Sequence, residues 1–301
     1  MPTLLLRRFA LAATLVLFSA FARSAEILLY DGKQNNLPQN QPWLVYMDDS
    51  LLNPPAPPQN VVAGTGVRMN TSGAGAAGYF NHWYFFNWFP VNSSFPALNP
   101  ADGFNLSFQL QIHAENHSSH NRAGFSVILL GMDVLGIELG FWENRIWAQS
   151  GPSFTQAEYV KDFDTTPKLI DYELLILNSK YFLLADGIEI LTGLTRDYSP
   201  ASPLPDPYDT PNMLYLGDNT GSARADFTLG SILLRTGPFD LPALVPAPAP
   251  YALLLPAVAW LARRRTRLSA CPTSGPCQPP RSLQARHHTR SGQGTQRGSD
   301  A

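Results

Sequence analysis

Turn signals punctuate this chain about every eight to twelve residues from Glu26 to Thr236, and the segments between them alternate in polarity or are rich in β-branched and aromatic residues. Such spacing leaves room for strands rather than helices and argues an all-β sandwich or barrel. The segments that read most clearly as strands are Phe104 to Ile112, Gly124 to Leu130, Gly136 to Trp142, Arg145 to Gln149, Tyr172 to Leu177, Tyr181 to Ala185, Ile188 to Leu191 and Phe227 to Leu234. No stretch of comparable length repeats its apolar residues at the helical period.

Short connections make the pairing antiparallel. Asp186-Gly187 stands between two of these strands, and this dipeptide suits the positive φ angles of a two-residue hairpin. Asn178-Ser179-Lys180 separates the strand before them, so Leu169 to Leu191 is expected to be a three-stranded meander. Glu143-Asn144 has the same turn role between Trp142 and Arg145. The two cysteines, Cys271 and Cys277, lie far beyond this region and have no histidine at ligand spacing, so they are not read as a metal site. A domain without a disulfide takes its stability from its core, and roughly 215 residues suffice for one.

The two ends carry different physical chemistry. Arg7 and Arg8 precede an apolar run from Phe9 to Phe21 that closes on Ala20-Phe21-Ala22. A positive region, a short apolar region and small residues two apart are the parts of a secretory signal peptide. Cleavage is expected after Ala22, with Ala20 and Ala22 as the small residues, because cutting after Ala25 would place Arg23 where a small side chain is wanted. Toward the other end come Val245-Pro246-Ala247-Pro248-Ala249-Pro250, the apolar run Tyr251 to Ala262 and Arg263-Arg264-Arg265. That apolar run has twelve residues, Pro256 among them, against the roughly 20 that an unaided transmembrane helix needs. Residues 266–301 are too poor in apolar side chains to bury a core and are expected to be disordered.

Charge is divided along the chain. Glu26 to Ala262 carries 22 acidic and 10 basic residues, whereas Arg263 to Ala301 carries eight arginines and one aspartate. An acidic domain is repelled by nucleic acid, which excludes that partner class.

The order of proline spacer, apolar run and arginine cluster over Val245 to Arg265 resembles the bacterial PEP-CTERM sorting signal in a Val-Pro-x-Pro-Ala variant. Ala247 stands where that family usually has glutamate, and the chain continues past the arginines where such proteins normally stop. The resemblance implies an exosortase-like sorting enzyme acting near Val245, Pro246, Ala247 and Pro248. It also implies transient association with the inner membrane, with Arg263, Arg264 and Arg265 on the cytoplasmic side. The meander ending in an Asp-Gly hairpin, the aromatic hairpin Phe141-Trp142 to Ile146-Trp147 and the segment Leu214 to Asp218 resemble an antiparallel concanavalin-like, laminin-G-like jelly-roll sandwich. With a signal peptide and a sorting tail, the whole is similar to bacterial "choice-of-anchor" surface proteins. The expected organisation is a signal peptide at 1–22, the sandwich at 23–238, a proline-rich spacer at 239–250, the apolar segment with its arginines at 251–265 and the tail at 266–301.

Jelly rolls of this kind include family-16-like glycanases, whose Glu-x-Asp-x-Glu strand puts three carboxylates on one face so that one acts as acid and another as nucleophile. Only near approaches occur here: Asp162-Phe163-Asp164, Asp171-Tyr172-Glu173, and Glu138 with Glu143. The chain is therefore read as noncatalytic, with no catalytic residue assigned; the alternative is a secreted glycan-active hydrolase of the same fold. His113, His117 and His120 gather around Asn116 to Asn121, which reads as a solvated polar loop rather than a metal site. Asp206, Asp209, Asp218 and Asn219 offer hard oxygen donors for Ca2+, although Asp and Asn also serve turns for backbone reasons.

Tyr79 to Phe89 reads as one aromatic strand, with Trp83, Phe85 and Asn87 on one face and His82, Tyr84, Phe86 and Trp88 on the other. Aromatic faces stack on the apolar faces of sugars, which makes Trp83, Tyr84 and Trp88 a candidate glycan platform if both faces are aromatic and one is exposed. The function expected is that of an exported cell-surface or exopolysaccharide-matrix protein, noncatalytic, with extracellular polysaccharide as its partner.

Overall fold

A computed structural model describes residues 25–48, 57–73, 75–84, 87–201 and 207–239. The first strands are β1 (Ala25–Tyr30), β2 (Val45–Asp48), β3 (Gln59–Val62), β4 (Gly66–Asn70), β5 (Ala77–Phe80), β6 (His82–Tyr84) and β7 (Trp88–Pro90). The central ones are β8 (Phe104–His117), β9 (Phe125–Leu130), β10 (Leu135–Trp142), β11 (Arg145–Gln149) and β12 (Gln156–Lys161). The last are β13 (Ile170–Leu177), β14 (Lys180–Ala185), β15 (Ile188–Leu194), β16 (Arg196–Asp197), β17 (Leu214–Asp218) and β18 (Ala223–Thr236).

Two sheets hold all of these except the β6–β7 hairpin. The first runs β15-β14-β13-β8-β18-β4-β3, with β1 also on β18; the second runs β12-β11-β10-β9-β17-β5-β2, with β16 on β10. Neighbouring strands are antiparallel throughout. The fold is an all-β, antiparallel jelly-roll sandwich.

Period-2 alternation decides which side chains enter the core. On β8, Phe104, Leu106, Phe108, Leu110 and Ile112 are buried while Ser107, Gln109 and Gln111 lie on the other face. They share one apolar core with Phe125, Val127 and Leu129 of β9 and Ile137, Leu139 and Phe141 of β10. Phe108 meets Phe141 edge-on at 6.2 Å and Phe125 meets Phe227 at 4.7 Å, which ties the two sheets together. Each such phenylalanine contributes about 2–3 kcal/mol of burial.

The meander forms as expected, with Leu177 opposite Lys180 and Ala185 opposite Ile188. Asp186 and Gly187 have φ of 48° and 77°, the positive pair that a type I′ turn requires.

Two expectations are corrected. The polar stretch at Asn116 is not a loop from its start, because β8 continues to His117 and pairs with Ala223 to Asp226 along the extension. Ladder hydrogen bonds hold this end of the strand together with the buried Glu115 side chain and its neighbours Ala223 and Ala225. Tyr79 to Phe89 is not one strand but parts of β5, β6 and β7.

The outer face of the second sheet is also covered. Phe80, Ile128, Leu130, Tyr198 and Met213 form a second apolar cluster there, joined by Trp88, Phe154, Tyr208 and Tyr215.

Candidate functional site

Asn81 explains why the aromatic run breaks. Its Nδ2 donates to Asn212 O at 2.8 Å and its Oδ1 accepts from Leu214 N–H at 2.8 Å, so the side chain occupies hydrogen-bonding groups beside β17 and the chain turns away from β5. His82 Nδ1 lies 2.8 Å from the same Oδ1, and burial lowers its pKa to about 4. At neutral pH the ring is therefore uncharged. The hairpin returns at Asn87, whose Oδ1 accepts from Trp88 N–H at 2.8 Å.

Within the hairpin Trp83 is opposite Phe89 and Tyr84 is opposite Trp88. Directly opposed residues share a face, so Trp83 and Phe89 look one way, 5.4 Å apart, and Tyr84 and Trp88 the other way, 5.0 Å apart. The expected separation of Trp83 from Tyr84 and Trp88 is thus reached by two short strands instead of one long one. Trp83, Tyr84 and Phe89 are 44 %, 54 % and 42 % exposed. Trp88 leans back onto Phe80 at 5.2 Å. Phe85 and Phe86 lie outside the described residues.

Where Trp88 meets the second sheet there is a cleft of about 330 Å³, lined among others by Met47, Phe80, Ile128, Tyr208, Tyr215 and Asn219. Its polar wall is built from below by Glu138. On β10 the odd positions Ile137, Leu139 and Phe141 face the core, so Gly136, Glu138, Gly140 and Trp142 form the outward row. Glu138 accepts from Tyr208 Oη–H at 2.5 Å and from Asn219 Nδ2–H at 3.0 Å. Its backbone N–H donates to Tyr198 Oη at 3.1 Å, and that hydroxyl donates to Gln149 O at 3.0 Å.

Glu138 is only 1 % exposed. Burial pushes its carboxyl pKa above the ordinary range, against the opposing pull of its hydrogen bonds to Tyr208 and Asn219. An aromatic cap closes over it: Phe154 lies 5.8 Å from Tyr198 and 5.3 Å from Tyr208, and the two tyrosines are 5.5 Å apart. Next along the row, Gly140 lets the Trp147 ring lie across β10, since a Cβ there would meet that ring at 2.5 Å. The carboxyl is an internal anchor that positions two cleft-lining side chains.

The calcium candidates do not share one orientation. Asp218 is fully buried; its Oδ1 accepts from Thr220 N–H at 3.1 Å and its Oδ2 is 3.8 Å from Arg224 Nη1. Burial raises its pKa to about 7. Asn219 turns its amide nitrogen, not its oxygen, toward Glu138. Asp209 is exposed, and Asp206 lies outside the described residues. Among the described residues no three His, Cys, Asp or Glu side chains lie close enough to hold a metal ion together.

A bulge separates His113 from the other two histidines. Ile112 pairs with Phe227 but Ala114 pairs with Asp226, leaving His113 as the extra residue, and an extra residue reverses which face later side chains take. His113 Nε2 is 2.7 Å from Thr228 Oγ1. His117 stacks on Trp142 at 3.9 Å, its Nδ1 2.7 Å from Glu115 Oε2, while His120 meets the edge of Trp142 at 5.6 Å. The carboxylate pairs are equally scattered. Asp162 and Asp164 are exposed, the latter accepting from Thr166 N–H at 2.9 Å. Asp171 and Glu173 lie on the first sheet, accepting from Gln109 and Asn105 at 2.8 and 3.1 Å. Glu143 Oε1 accepts from Glu115 N–H at 3.0 Å.

Ala20 and Ala22, and the sorting residues Val245 to Pro248 and Arg263 to Arg265, lie outside the described residues. Sequence reasoning named Trp83, Tyr84 and Trp88 but missed Phe89, Tyr208 and the cleft. The cleft's walls come from segments far apart in the chain, so no local pattern announces it; only the tyrosine between Pro207 and Asp209 departs from ordinary turn composition.

No family model matches the chain, and no curated protein matches it in sequence. Among solved structures, the binding domain of botulinum neurotoxin DC in complex with rat synaptotagmin II is 11 % identical, with a TM-score of 0.41 over 71 % of this chain and 49 % of that one. This chain thus spans about half the length of that domain. The Crh5 transglycosylase in complex with NAG is 11 % identical, with a TM-score of 0.40 over 71 % and 84 %. The alginate lyase A1-II′ of polysaccharide lyase family 7 is 11 % identical, with a TM-score of 0.33 over 55 % and 81 %.

Proposed function

We propose that this chain is an exported bacterial cell-surface or exopolysaccharide-matrix protein that binds extracellular glycan without catalysis. The observation that carries the reading is the β6–β7 hairpin, aromatic on both faces and exposed at Trp83, Tyr84 and Phe89. Contiguous exposed aromatic surface of this kind marks interaction sites, and the apolar faces of sugar rings suit it. Export rests on the positive and apolar regions ending at Ala20 and Ala22, and sorting by an exosortase-like enzyme on Val245 to Arg265.

The alternative, a glycan-active hydrolase, has weaker support. Two-carboxylate hydrolysis needs an acid and a nucleophile or base flanking the bond. The outward row of β10 offers one carboxyl, Glu138, and Tyr208 and Asn219 already hold it under the aromatic cap.

The test is retention of the purified full-length chain on insoluble neutral polysaccharides. Trp83→Ala and Tyr84→Ala are expected to reduce retention at least tenfold with the melting temperature unchanged. Absence of retention on every polysaccharide would sink the glycan reading, and release of reducing ends from any β-glucan would revive the hydrolase.

A further inference from the structure

The cleft beside Trp88 is a second surface, set apart from the outward-looking Trp83–Phe89 pair. We infer that it holds a single uncharged pyranose ring of the glycan and rejects uronates. The inference rests on the glycan-binding reading above and gives that partner its chemical class.

Size limits the occupant to about one ring, since a cleft of about 330 Å³ lies at the lower end of small-molecule sites, which span about 300–1,000 Å³. Polarity then selects a sugar over a hydrocarbon. Apolar walls from Met47, Phe80 and Ile128 stand beside the Tyr208 hydroxyl and the Asn219 amide, the two-sided character of a ring with one apolar face and a rim of hydroxyls. The indole N–H of Trp88 is buried with no acceptor among the described residues, a donor that a sugar oxygen would satisfy. Trp88 also packs against Tyr84 with the rings tilted at 55°, which joins the cleft to the exposed hairpin, so one chain can meet both.

Charge excludes the acidic sugars. The described lining contains Asp48 and no basic side chain. A uronate carboxylate entering here would lose its hydration without gaining a cationic partner. Glu138 keeps the polar wall in place: it accepts from Tyr208 and Asn219, and the Asn219 amide also donates to Tyr208 Oη at 3.4 Å.

The experiment titrates the full-length chain with cellotriose, laminaritriose, maltotriose, trimannuronate and decanol, following tryptophan fluorescence and the Trp88 indole N–H resonance. At least one neutral trisaccharide is expected to bind saturably and shift that resonance, whereas trimannuronate and decanol are not. Met47→Trp, on an edge strand, and Ile128→Phe narrow the cleft from two sides and are expected to weaken trisaccharide binding more than tenfold. Leu194→Ala, at an exposed position on the edge of the first sheet, is expected to change it less than twofold. Retention on polysaccharide with no trisaccharide binding, with equal binding of trimannuronate, with decanol as the only ligand, or with a Trp88 resonance that stays fixed overturns the cleft inference and leaves the hairpin reading standing. No retention at all removes both.

Discussion

Asp218 shows how one residue's surroundings become a property of the whole protein. Its carboxyl is buried and its pKa is raised to about 7, above the roughly 3.9 of an exposed aspartate. The folded state therefore holds its proton more tightly than the unfolded chain does. Its contribution to stability is fully present below about pH 4 and is lost as pH rises toward about 7, by on the order of 4 kcal/mol. Asp218→Asn keeps an acceptor for Thr220 but cannot ionise. Urea denaturation should find the variant close to the parent at pH 4 and clearly more stable at pH 8; an identical pH dependence in both proteins would contradict this. In the sequence, Asp218 and Asn219 look alike, two turn-type residues with oxygen donors. Strand parity separates them. Leu214 and Leu216 belong to the core, so Asp218 follows them inward, while Asn219 reaches Glu138. Residue type was legible, but direction depended on where β17 ended.

At the scale of elements, the clearest sequence signals were those whose turn chemistry and alternation agree. Gly187 has φ of 77° with nothing near the position of an added Cβ, so its requirement is conformational alone. Gly187→Ala should cost about 1 kcal/mol through backbone strain. Equilibrium denaturation measures this, and polysaccharide retention should be unaffected because the turn joins β14 to β15 on the first sheet. The β6–β7 hairpin was harder to read. Aromatic residues follow one another almost unbroken from Tyr79 to Phe89, and the break depends on Asn81 finding Asn212 and Leu214, more than a hundred residues away. The same holds for the far end of β8, whose polar residues carry no strand signal until β18 lies beside them.

For the molecule as a whole, the acidic excess of Glu26 to Ala262 and the uncharged, aromatic hairpin make different demands on salt. Stacking and burial are insensitive to screening, whereas attraction between charges fades as the Debye length falls from about 30 Å at 0.01 M to about 3 Å at 1 M. Retention on neutral polysaccharide should therefore stay constant across that range, as pull-down at each ionic strength would reveal; a steep decline would mean that charge, not the aromatic surface, carries the contact. The two-sheet architecture was largely legible because it rests on alternation in the longest strands. The cleft was not, because it belongs to no strand and arises only where β2, β5, β7, β9 and β17 have all been assembled.

β18 pairs with β8 over almost its whole length, and with β4 and β1 along its other edge. The first sheet thus lacks its spine until the final strand arrives, and β1, the earliest strand, has nowhere to dock before then. A chain made from its N-terminus therefore holds β1 in waiting: the first sheet closes only once the polypeptide has been completed as far as Thr236.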